Sequence, residues 1–229
     1  MNIHGLQKMT LLDYPGVVAC TVFLGGCDLR CPYCHNAELL DPNFPPLMDE
    51  TELLAFLKKR QGLLDGVCIT GGEPLLRQEL PTLLGEIRAL GYKIKLDTNG
   101  AHPAQLRRIL DAGLADYVAM DIKNSPERYA ETIGRAQFDV APIRESVRLL
   151  MAGDTDYEFR TTVVAELHGE EDIRAIGRWI AGARRYFLQP FTDRETVPLA
   201  GLSAPTQAQL DRFLAIAREF VPETQLRGA

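Results

Sequence analysis

The sequence predicts an α/β protein built as a partial (β/α)6 barrel, and three observations lead to this prediction. Apolar runs rich in β-branched residues alternate with segments of helical periodicity along the 229 residues. Each crossover between successive runs is long enough for a right-handed βαβ unit, which indicates a parallel sheet. Glycine-rich and polar motifs follow the predicted strands, where the carboxyl ends of barrel strands form the active face.

The chain is expected to fold as one domain over residues 1–229, since barrels of this class commonly have this length. Residues 1–16 carry the turn signal Tyr14-Pro15-Gly16 and are predicted to form an N-terminal cap or hairpin. The barrel core is predicted over residues 17–191, followed by a C-terminal helix and tail over residues 192–229.

Six strands and six longer helices are predicted in alternation. The strands are predicted at residues 17–24, 66–70, 92–97, 116–122, 157–164 and 186–189. The helices are predicted at residues 49–60, 78–90, 103–112, 143–152, 171–181 and 206–220. The first strand, VVACTVFL, is almost continuously apolar, which is typical of a parallel strand buried on both faces.

The composition excludes some classes of protein. Apolar residues make up 46% of the chain and charged residues 24%, the balance of an ordinary globular protein. The net charge of -6 argues against non-specific nucleic-acid binding, which needs a basic surface. No apolar run is long enough to span a membrane, and the N-terminus lacks a secretory apolar region. A cytoplasmic protein with reduced thiols is therefore expected, where clustered cysteines favour a metal over disulfides.

Three of the five cysteines lie in the stretch LGGCDLRCPYCHN. Cys27, Cys31 and Cys34 have the spacing C-x3-C-x2-C. Structural zinc and an ordinary four-iron cluster both need four ligands, so three cysteines predict a four-iron cluster with one iron left open. A zinc knuckle or redox thiols remain the alternative. Cys20 and Cys68 stand alone in apolar runs and are predicted to be buried core residues.

This spacing, with the aromatic Tyr33 before the last cysteine, resembles the signature of the radical S-adenosylmethionine (SAM) enzymes. The resemblance implies a TIM-like barrel core and a [4Fe-4S] cluster on the three cysteines. It also implies that S-adenosyl-L-methionine chelates the open iron and is cleaved reductively to a 5'-deoxyadenosyl radical. Because the chain has no second cysteine cluster, no auxiliary cluster domain is expected. Such a cluster would be oxygen-labile, which implies an anaerobic setting.

Gly71, Gly72, Glu73 and Pro74 follow the second predicted core strand. Glycines allow close approach of the backbone, whose carbonyls can accept hydrogen bonds from the methionine amino group, and Glu73 can support the loop. Two glycines before a helix are otherwise often a simple turn. The motif follows the cysteines by about forty residues, and this position is similar to that of the GGEP motif in the radical SAM enzymes.

Two further polar motifs follow the next strands. Asp97-Thr98-Asn99-Gly100 is either an Asx turn or, as a similar segment in activases of glycyl radical enzymes implies, a contact to the methionine carboxylate and ribose. In those activases the aspartate also helps to hold a monovalent cation. Asp121 and Lys123 share one face of an extended strand and form either a surface salt bridge or part of the same site.

Four other positions, Arg160, Gln189, His35 and Asn36, each have two possible roles. Arg160 is expected either at an edge facing water or paired with a ligand group, because an unpaired buried guanidinium is costly. Gln189 either contacts adenosine or substrate, or ends its strand. His35 and Asn36 are expected to order the cysteine loop or approach the adenosine, without ligating iron. His4, His102 and His168 show no usable pattern and are expected to be exposed.

The residues assigned to cofactor binding share a position at or near a predicted strand end or the cysteine loop. They are Tyr33, Gly71, Gly72, Glu73, Pro74, Asp97, Thr98, Asn99, Asp121, Lys123, Arg160 and Gln189. No side chain is assigned as a catalytic acid or base, because the cluster and the cofactor would carry the chemistry.

The opening GLQKMTLLDYPG together with CPYCHN resembles the activating proteins of anaerobic ribonucleoside-triphosphate reductase. That resemblance implies hydrogen abstraction from a glycine of a partner enzyme, with flavodoxin or ferredoxin as the reductant, and neither nucleic acid nor membrane as a partner. Two alternatives remain open. One is a radical SAM enzyme acting on a small molecule, like 7-carboxy-7-deazaguanine synthase. The other is a non-enzymatic iron–sulfur or zinc scaffold.

Overall fold

Nine strands form one sheet in the computed structural model, which describes residues 1–228. The strands are β1 (Asn2–Thr10), β2 (Ala19–Leu24), β3 (Met48–Asp49), β4 (Gly66–Gly71), β5 (Lys93–Thr98), β6 (Tyr117–Asp121), β7 (Asp156–Val163), β8 (Tyr186–Pro190) and β9 (Thr224–Leu226). The α-helices are α1 (Glu50–Arg60), α2 (Leu80–Ala89), α3 (Pro103–Asp111), α4 (Tyr129–Thr132), α5 (Ala141–Ala152), α6 (Glu170–Trp179) and α7 (Gln207–Arg218). Short 3-10 helices cover Ala37–Leu40 and Pro74–Leu76.

The sheet has the strand order β3-β1-β2-β4-β5-β6-β7-β8-β9. The six strands predicted for the core are β2 and β4 to β8, and each pairs in parallel with its neighbour. Their bounds differ from the predicted ones by one or two residues. The prediction of a partial (β/α)6 barrel is therefore confirmed. None of the helices within residues 1–228 is long and apolar enough to cross a membrane.

The two faces of the barrel sheet differ in polarity. The face carrying Val22, Ile69 and Leu96 belongs to the main apolar core, together with side chains of the helices. The opposite face carries Thr21, Cys68 and Lys95 in register on three adjacent strands. Barrel interiors are more often filled by layers of branched apolar side chains. In this protein the inner face is partly polar, and it carries the buried charge of Lys95.

Both ends of the chain add strands to the main sheet. Residues 1–16 were expected as a cap or hairpin, and β1 pairs antiparallel with the core strand β2 across the turn at Tyr14-Pro15-Gly16. The two-residue strand β3 then pairs with β1. At the other end, the predicted tail adds β9, which pairs in parallel with β8. The strands β3 and β9 were missed because two and three residues carry too little periodicity to be recognised.

Candidate active site

A cavity opens where the parallel strands end at their carboxyl termini. It is lined from the cysteine loop by Cys27, Cys31, Tyr33, Cys34, His35 and Asn36. It is lined from the strand ends by Gly71, Gly72, Asp97, Thr98, Asn99, Asp121, Lys123 and Arg160. Motifs spread over more than 130 positions of sequence thus share one cavity, as expected for the active face of an α/β barrel.

The glycines of the GGEP motif bring two loops into contact. Gly72 N donates to Leu24 O at 2.8 Å, and Glu73 N donates to Gly26 O at 2.8 Å. A Cβ at Gly71 would overlap the Leu24 backbone, and one at Gly72 would overlap the Gly26 carbonyl. Gly71 also has a φ of 123°, a conformation that favours glycine. These glycines are therefore required for packing the cysteine loop against β4.

Glu73 connects the GGEP loop to the loop after β5. Its fully buried carboxylate accepts hydrogen bonds from Leu75 N at 3.0 Å, Thr98 Oγ1 at 2.8 Å and Asn99 N at 2.6 Å. Burial raises the pKa of Glu73 to about 7, although these three hydrogen bonds lower it. Glu73 and Pro74 do not line the cavity. They lie behind it and hold two lining loops together.

Five charged side chains form an alternating chain across β5, β6 and β7, and we call these residues the upper network. They are Lys95, Asp97, Arg160, Asp121 and Lys123. Asp97 contacts Lys95 Nζ and lies 3.2 Å from Arg160 Nη1. Asp121 lies 2.9 Å from Arg160 Nε and 2.9 Å from Lys123 Nζ. Arg160 is therefore a buried, paired residue that bridges both aspartates, and the edge position considered from the sequence is excluded.

The upper network favours the charged forms of Asp97, Asp121 and Lys123. Burial alone would raise the pKa values of Asp97 and Asp121, but Arg160 and the adjacent lysines lower both below the usual range. Burial alone would lower the pKa of Lys123, yet Asp121 raises it well above the ordinary value. With three cations and two carboxylates, the network carries one excess positive charge. Lys123, Arg160 and both aspartates line the cavity, so this charge is available to an anionic group of a ligand.

Gln189 is not among the described residues that line the cavity. Gln189 is in register with Thr162, which does line the cavity, so the two lie side by side on adjacent strands. Sequence reasoning missed Thr162 and the buried Lys95. Lys95 stands two residues before Asp97 in a strand, and this period-2 spacing was the signal that could have identified it.

The expectation that the remaining histidines are exposed was wrong for His168. It is 3% exposed, and its Nε2 donates to Lys123 O at 2.8 Å while its Nδ1 accepts from Val164 N at 3.1 Å. His102 is only partly exposed and lies 3.2 Å from Asp28 Oδ2, which raises the pKa of His102. Asn99 Nδ2 donates to the other oxygen of Asp28 at 3.0 Å. The cysteine loop is thus held to the β5 end through Asp28.

The three cysteines fit the ligand set of a cluster with an open iron. All three line the same cavity, and they form no disulfide. Leu29 N donates to Cys27 Sγ at 3.4 Å, and Asn99 Nδ2 lies 3.8 Å from the same sulfur. Within residues 1–228, no three His, Cys, Asp or Glu side chains converge on a point suited to a single metal ion. Ligands to separate irons of one cluster do not need to converge. The isolated Cys20 and Cys68 are buried, as predicted.

The described residues also fit the cofactor implied by the cluster. The cavity joins the cysteines to the cationic Lys123 and to glycine backbone that no side chain covers. Tyr33, which lines the same cavity, has an enclosed hydroxyl with no hydrogen-bond partner. Such an orphaned group is expected where a bound molecule completes a site.

Comparison with known proteins agrees with this geometry. The family model of the radical SAM superfamily matches residues 21–176. A protein of Methanocaldococcus jannaschii, whose name assigns it provisionally to the glycyl-radical enzyme activating enzymes, is 27% identical over 98% of this chain and 95% of its own length. The pyruvate formate-lyase-activating enzyme of Clostridium pasteurianum is 35% identical over 54% of this chain and 52% of its own.

Two other comparisons are informative. The 7-carboxy-7-deazaguanine synthase of Synechocystis is 27% identical over 69% of this chain and 66% of its own length. Among solved structures, a domain of a pyruvate-formate lyase-activating enzyme from Bacteroides vulgatus superposes with a TM-score of 0.60 at 19% identity. The superposition covers 71% of this chain and 99% of that domain, and at this identity it supports the fold alone.

Proposed function

Because the chain belongs to the radical SAM superfamily of enzymes, we propose that it is an activase that installs a glycyl radical in a partner enzyme. The observation that carries this proposal is the similarity to the Methanocaldococcus jannaschii protein, which extends over 98% of this chain. The similarity to pyruvate formate-lyase-activating enzymes covers a shorter part of the chain but supports the same class.

The family implies a [4Fe-4S] cluster and S-adenosylmethionine. Cys27, Cys31 and Cys34 would hold the cluster, and the chemistry supplied by the bound groups is a one-electron reductive cleavage that yields a hydrogen-abstracting species. The chain's own residues would bind and orient the cluster and S-adenosylmethionine. The backbone at Gly71 and Gly72 would accept hydrogen bonds from the methionine amino group, and Lys123 would bind its carboxylate.

The upper network would fix the position of Lys123. Asp121 holds the Lys123 ammonium at 2.9 Å, and Arg160 holds Asp121 from the other side. Both oxygens of each aspartate in the network contact a cation, and each carboxylate can still accept further hydrogen bonds. We include in the proposal that Asp97 or Asp121 also accepts a hydrogen bond from a ribose hydroxyl or coordinates a monovalent cation. No side chain has to act as an acid or base, because the task of the protein is orientation and exclusion of water and oxygen.

As the specific partner we propose the anaerobic ribonucleotide reductase, on the basis of the opening GLQKMTLLDYPG and the CPYCHN segment. We further propose flavodoxin or ferredoxin as the reductant and the cytoplasm as the location, since the cysteine ligands must stay reduced. The second candidate is a small-molecule enzyme like 7-carboxy-7-deazaguanine synthase, which the similarity over 69% of the chain favours. The family match favours both over a non-enzymatic scaffold.

An anaerobic electron paramagnetic resonance (EPR) experiment tests the proposal. The reduced, reconstituted protein is mixed with S-adenosylmethionine and the anaerobic reductase from the same organism. A glycyl doublet that grows with time is the expected result. A reducible cluster without a doublet would reject this reductase as the partner. Turnover of a carboxylated pterin substrate under the same conditions would establish the second candidate instead.

A further inference from the structure

A segment near the C-terminus lies against the cysteine loop, and we call residues 192–203 the strap. The strap connects β8 to α7 and consists of turns and irregular backbone. Both of its ends are fixed near the carboxyl end of β7. Phe191 N donates to Val163 O at 2.9 Å, and Ala165 N donates to Ser203 O at 2.9 Å. The strap is therefore a loop that the barrel anchors on both sides.

The strap forms three hydrogen bonds with the cysteine loop. His35 Nε2 donates to Thr192 O at 2.6 Å, and Thr196 Oγ1 donates to His35 O at 2.8 Å. Leu199 N donates to Pro32 O at 3.1 Å. Two carbonyls of the cysteine loop are thus held by the strap, and one carbonyl of the strap is held by the cysteine loop.

The bonded loop residues are the immediate neighbours of two predicted cluster ligands. Pro32 follows Cys31, and His35 follows Cys34. The His35 ring also stacks on the buried Phe191, with ring centroids 5.6 Å apart and planes inclined by 9°. Within the described part of the chain, no strap residue lines the cavity. The strap therefore contacts the backbone that carries the ligands and leaves the cavity itself open.

A different set of contacts holds the remaining cysteine, Cys27. Its two neighbours are bonded to the loops after β4 and β5. Glu73 N donates to Gly26 O at 2.8 Å, and Asn99 Nδ2 donates to Asp28 Oδ1 at 3.0 Å. The two halves of the cysteine loop are thus supported separately, the first by these loops and the second by the strap.

We propose that the strap positions Cys31 and Cys34 for the iron–sulfur cluster, with Thr196 and His35 as its positioning residues. Groups that hydrogen-bond around a metal ligand orient it and strengthen metal binding. Here the bonds fix the peptides next to both cysteines, so the two sulfurs project from a restrained backbone. This inference rests on the cluster of the proposed function and not on the identity of the partner enzyme.

The first test measures amide hydrogen exchange in the cluster-free protein, so it does not depend on iron. Thr196→Val removes the donor to His35 O without changing the cysteine loop. Exchange in residues 31–36 is expected to become about two- to tenfold faster, because one hydrogen bond fewer opposes local opening. Thr196→Ser keeps a hydroxyl and should exchange at the wild-type rate. Ser203→Ala is the matched control, since its hydroxyl lies at the other end of the strap and donates to Glu166 Oε1 at 2.6 Å.

The control is expected to leave exchange in residues 31–36 unchanged. Wild-type exchange in Thr196→Val would overturn the proposal. Equal acceleration in Thr196→Val and Ser203→Ala would also overturn it, because the effect would then come from loosening of the strap as a whole and not from its contact with the cysteine loop.

The second test measures the rate at which the reconstituted, anaerobic proteins lose iron to a chelator, with neither S-adenosylmethionine nor a partner present. Thr196→Val is expected to lose iron about two- to tenfold faster than the wild type. His35→Ala should lose it faster still, because the ring stack is removed as well. Ser203→Ala should keep the wild-type rate. Wild-type rates in both Thr196→Val and His35→Ala would reject the role of the strap.

The two experiments separate this inference from the proposed function. A wild-type protein that binds no iron would count against the cluster, and one that fails to produce a glycyl radical would count against the activase function alone. In either case, hydrogen exchange in the cluster-free variants still decides whether the strap holds the second half of the cysteine loop.

Discussion

The two ends of the barrel interior both hold ion pairs, but they are built differently. At the carboxyl ends of the strands, the upper network lines the cavity. Toward the other end, the fully buried Glu158 accepts from both Nη atoms of Arg227, at 2.5 and 2.8 Å, and from Tyr117 Oη at 2.7 Å. We call Glu158, Arg227 and Tyr117 the lower network. Arg227 comes from the C-terminal tail, and its guanidinium carbon lies 3.5 Å from the Phe187 ring centroid.

The two networks use similar residue types for different purposes. The lower network balances one carboxylate with one bidentate guanidinium, and the tail closes it. The upper network has an excess cation and faces open space. We therefore expect changes in the lower network to affect stability alone, and changes in the upper network to affect ligand binding as well.

The largest effect is expected for the cysteines at the upper end. Cys31→Ala should abolish cluster binding and cleavage of S-adenosylmethionine together, because a cluster needs its three thiolates. Iron and sulfide analysis after anaerobic reconstitution measures the loss. Cys20→Ala, which removes a fully buried thiol of β2 that does not line the cavity, should retain iron. Wild-type iron content in Cys31→Ala would contradict the assignment of the ligands.

Arg160→Met should give the largest loss of stability, because it leaves Asp97 and Asp121 buried with one cation fewer each. Breaking a buried ion pair costs about 3–5 kcal/mol. Urea unfolding of the cluster-free proteins measures this. Arg107→Met is the control, since its pair with Glu145 is about half exposed and should contribute at most about 1 kcal/mol. Equal losses of unfolding free energy in the two variants would mean that the ion pairs of Arg160 stabilise the fold no more than an exposed ion pair does.

Glu73 differs from the carboxylates of both networks, because within residues 1–228 its carboxylate accepts hydrogen bonds but forms no ion pair. Burial raises its pKa from 4.5 to about 7, so the folded state holds a proton that the unfolded state releases. Its contribution should make the protein less stable as the pH rises from 4.5 to 7, by about 3 kcal/mol. The upper-network aspartates act oppositely, since their lowered pKa values give stability that is lost when the pH falls below about 4.

The test is the pH dependence of the free energy of unfolding. In Glu73→Gln, the decline between pH 4.5 and 7 should disappear, while the loss of stability at lower pH should remain. The same decline in the variant and the wild type would show that another group causes it.

Glu158→Gln should destabilise the protein by about 2 kcal/mol, because the charge-assisted hydrogen bonds from Arg227 are lost. The affinity for S-adenosylmethionine, measured by anaerobic titration of the reconstituted protein, should not change. The exposed Glu145→Gln is the control for removal of a carboxylate. A weaker affinity of Glu158→Gln for S-adenosylmethionine would show that the lower network also affects ligand binding.

The smallest predicted change is the loss of S-adenosylmethionine binding free energy in Lys123→Ala. Loss of one charged hydrogen bond should weaken S-adenosylmethionine binding by about tenfold, with iron content near that of the wild type. Lys93→Ala, at the opposite and exposed end of β5, is the matched control. If iron is lost in proportion to affinity, Lys123 supports the cluster loop and is not a ligand for the cofactor.

Much of the site was predictable because its signals are local. The cysteine spacing, the glycine pairs and the polar residues after each strand are short motifs, and parallel strands bring their carboxyl ends to one edge. The role of each residue within that edge was less predictable. The sequence predicted Gly71 and Gly72 as cofactor contacts, and the structure adds that they make room for the backbone at Leu24 and Gly26. Glu73 and Pro74 were predicted as contacts but lie behind the lining.

The alternation of strands and helices, the three-cysteine loop and the edge where the polar motifs meet are all readable from the sequence, since each depends on neighbours in the chain. The partners of the buried charges follow from the fold. Arg160 is paired with Asp97 and Asp121, which lie 63 and 39 positions away, and Glu158 is paired with Arg227, which lies 69 positions away. Strand order and register set these distances, and an isolated charge in a sequence carries no record of which opposite charge the fold will place beside it.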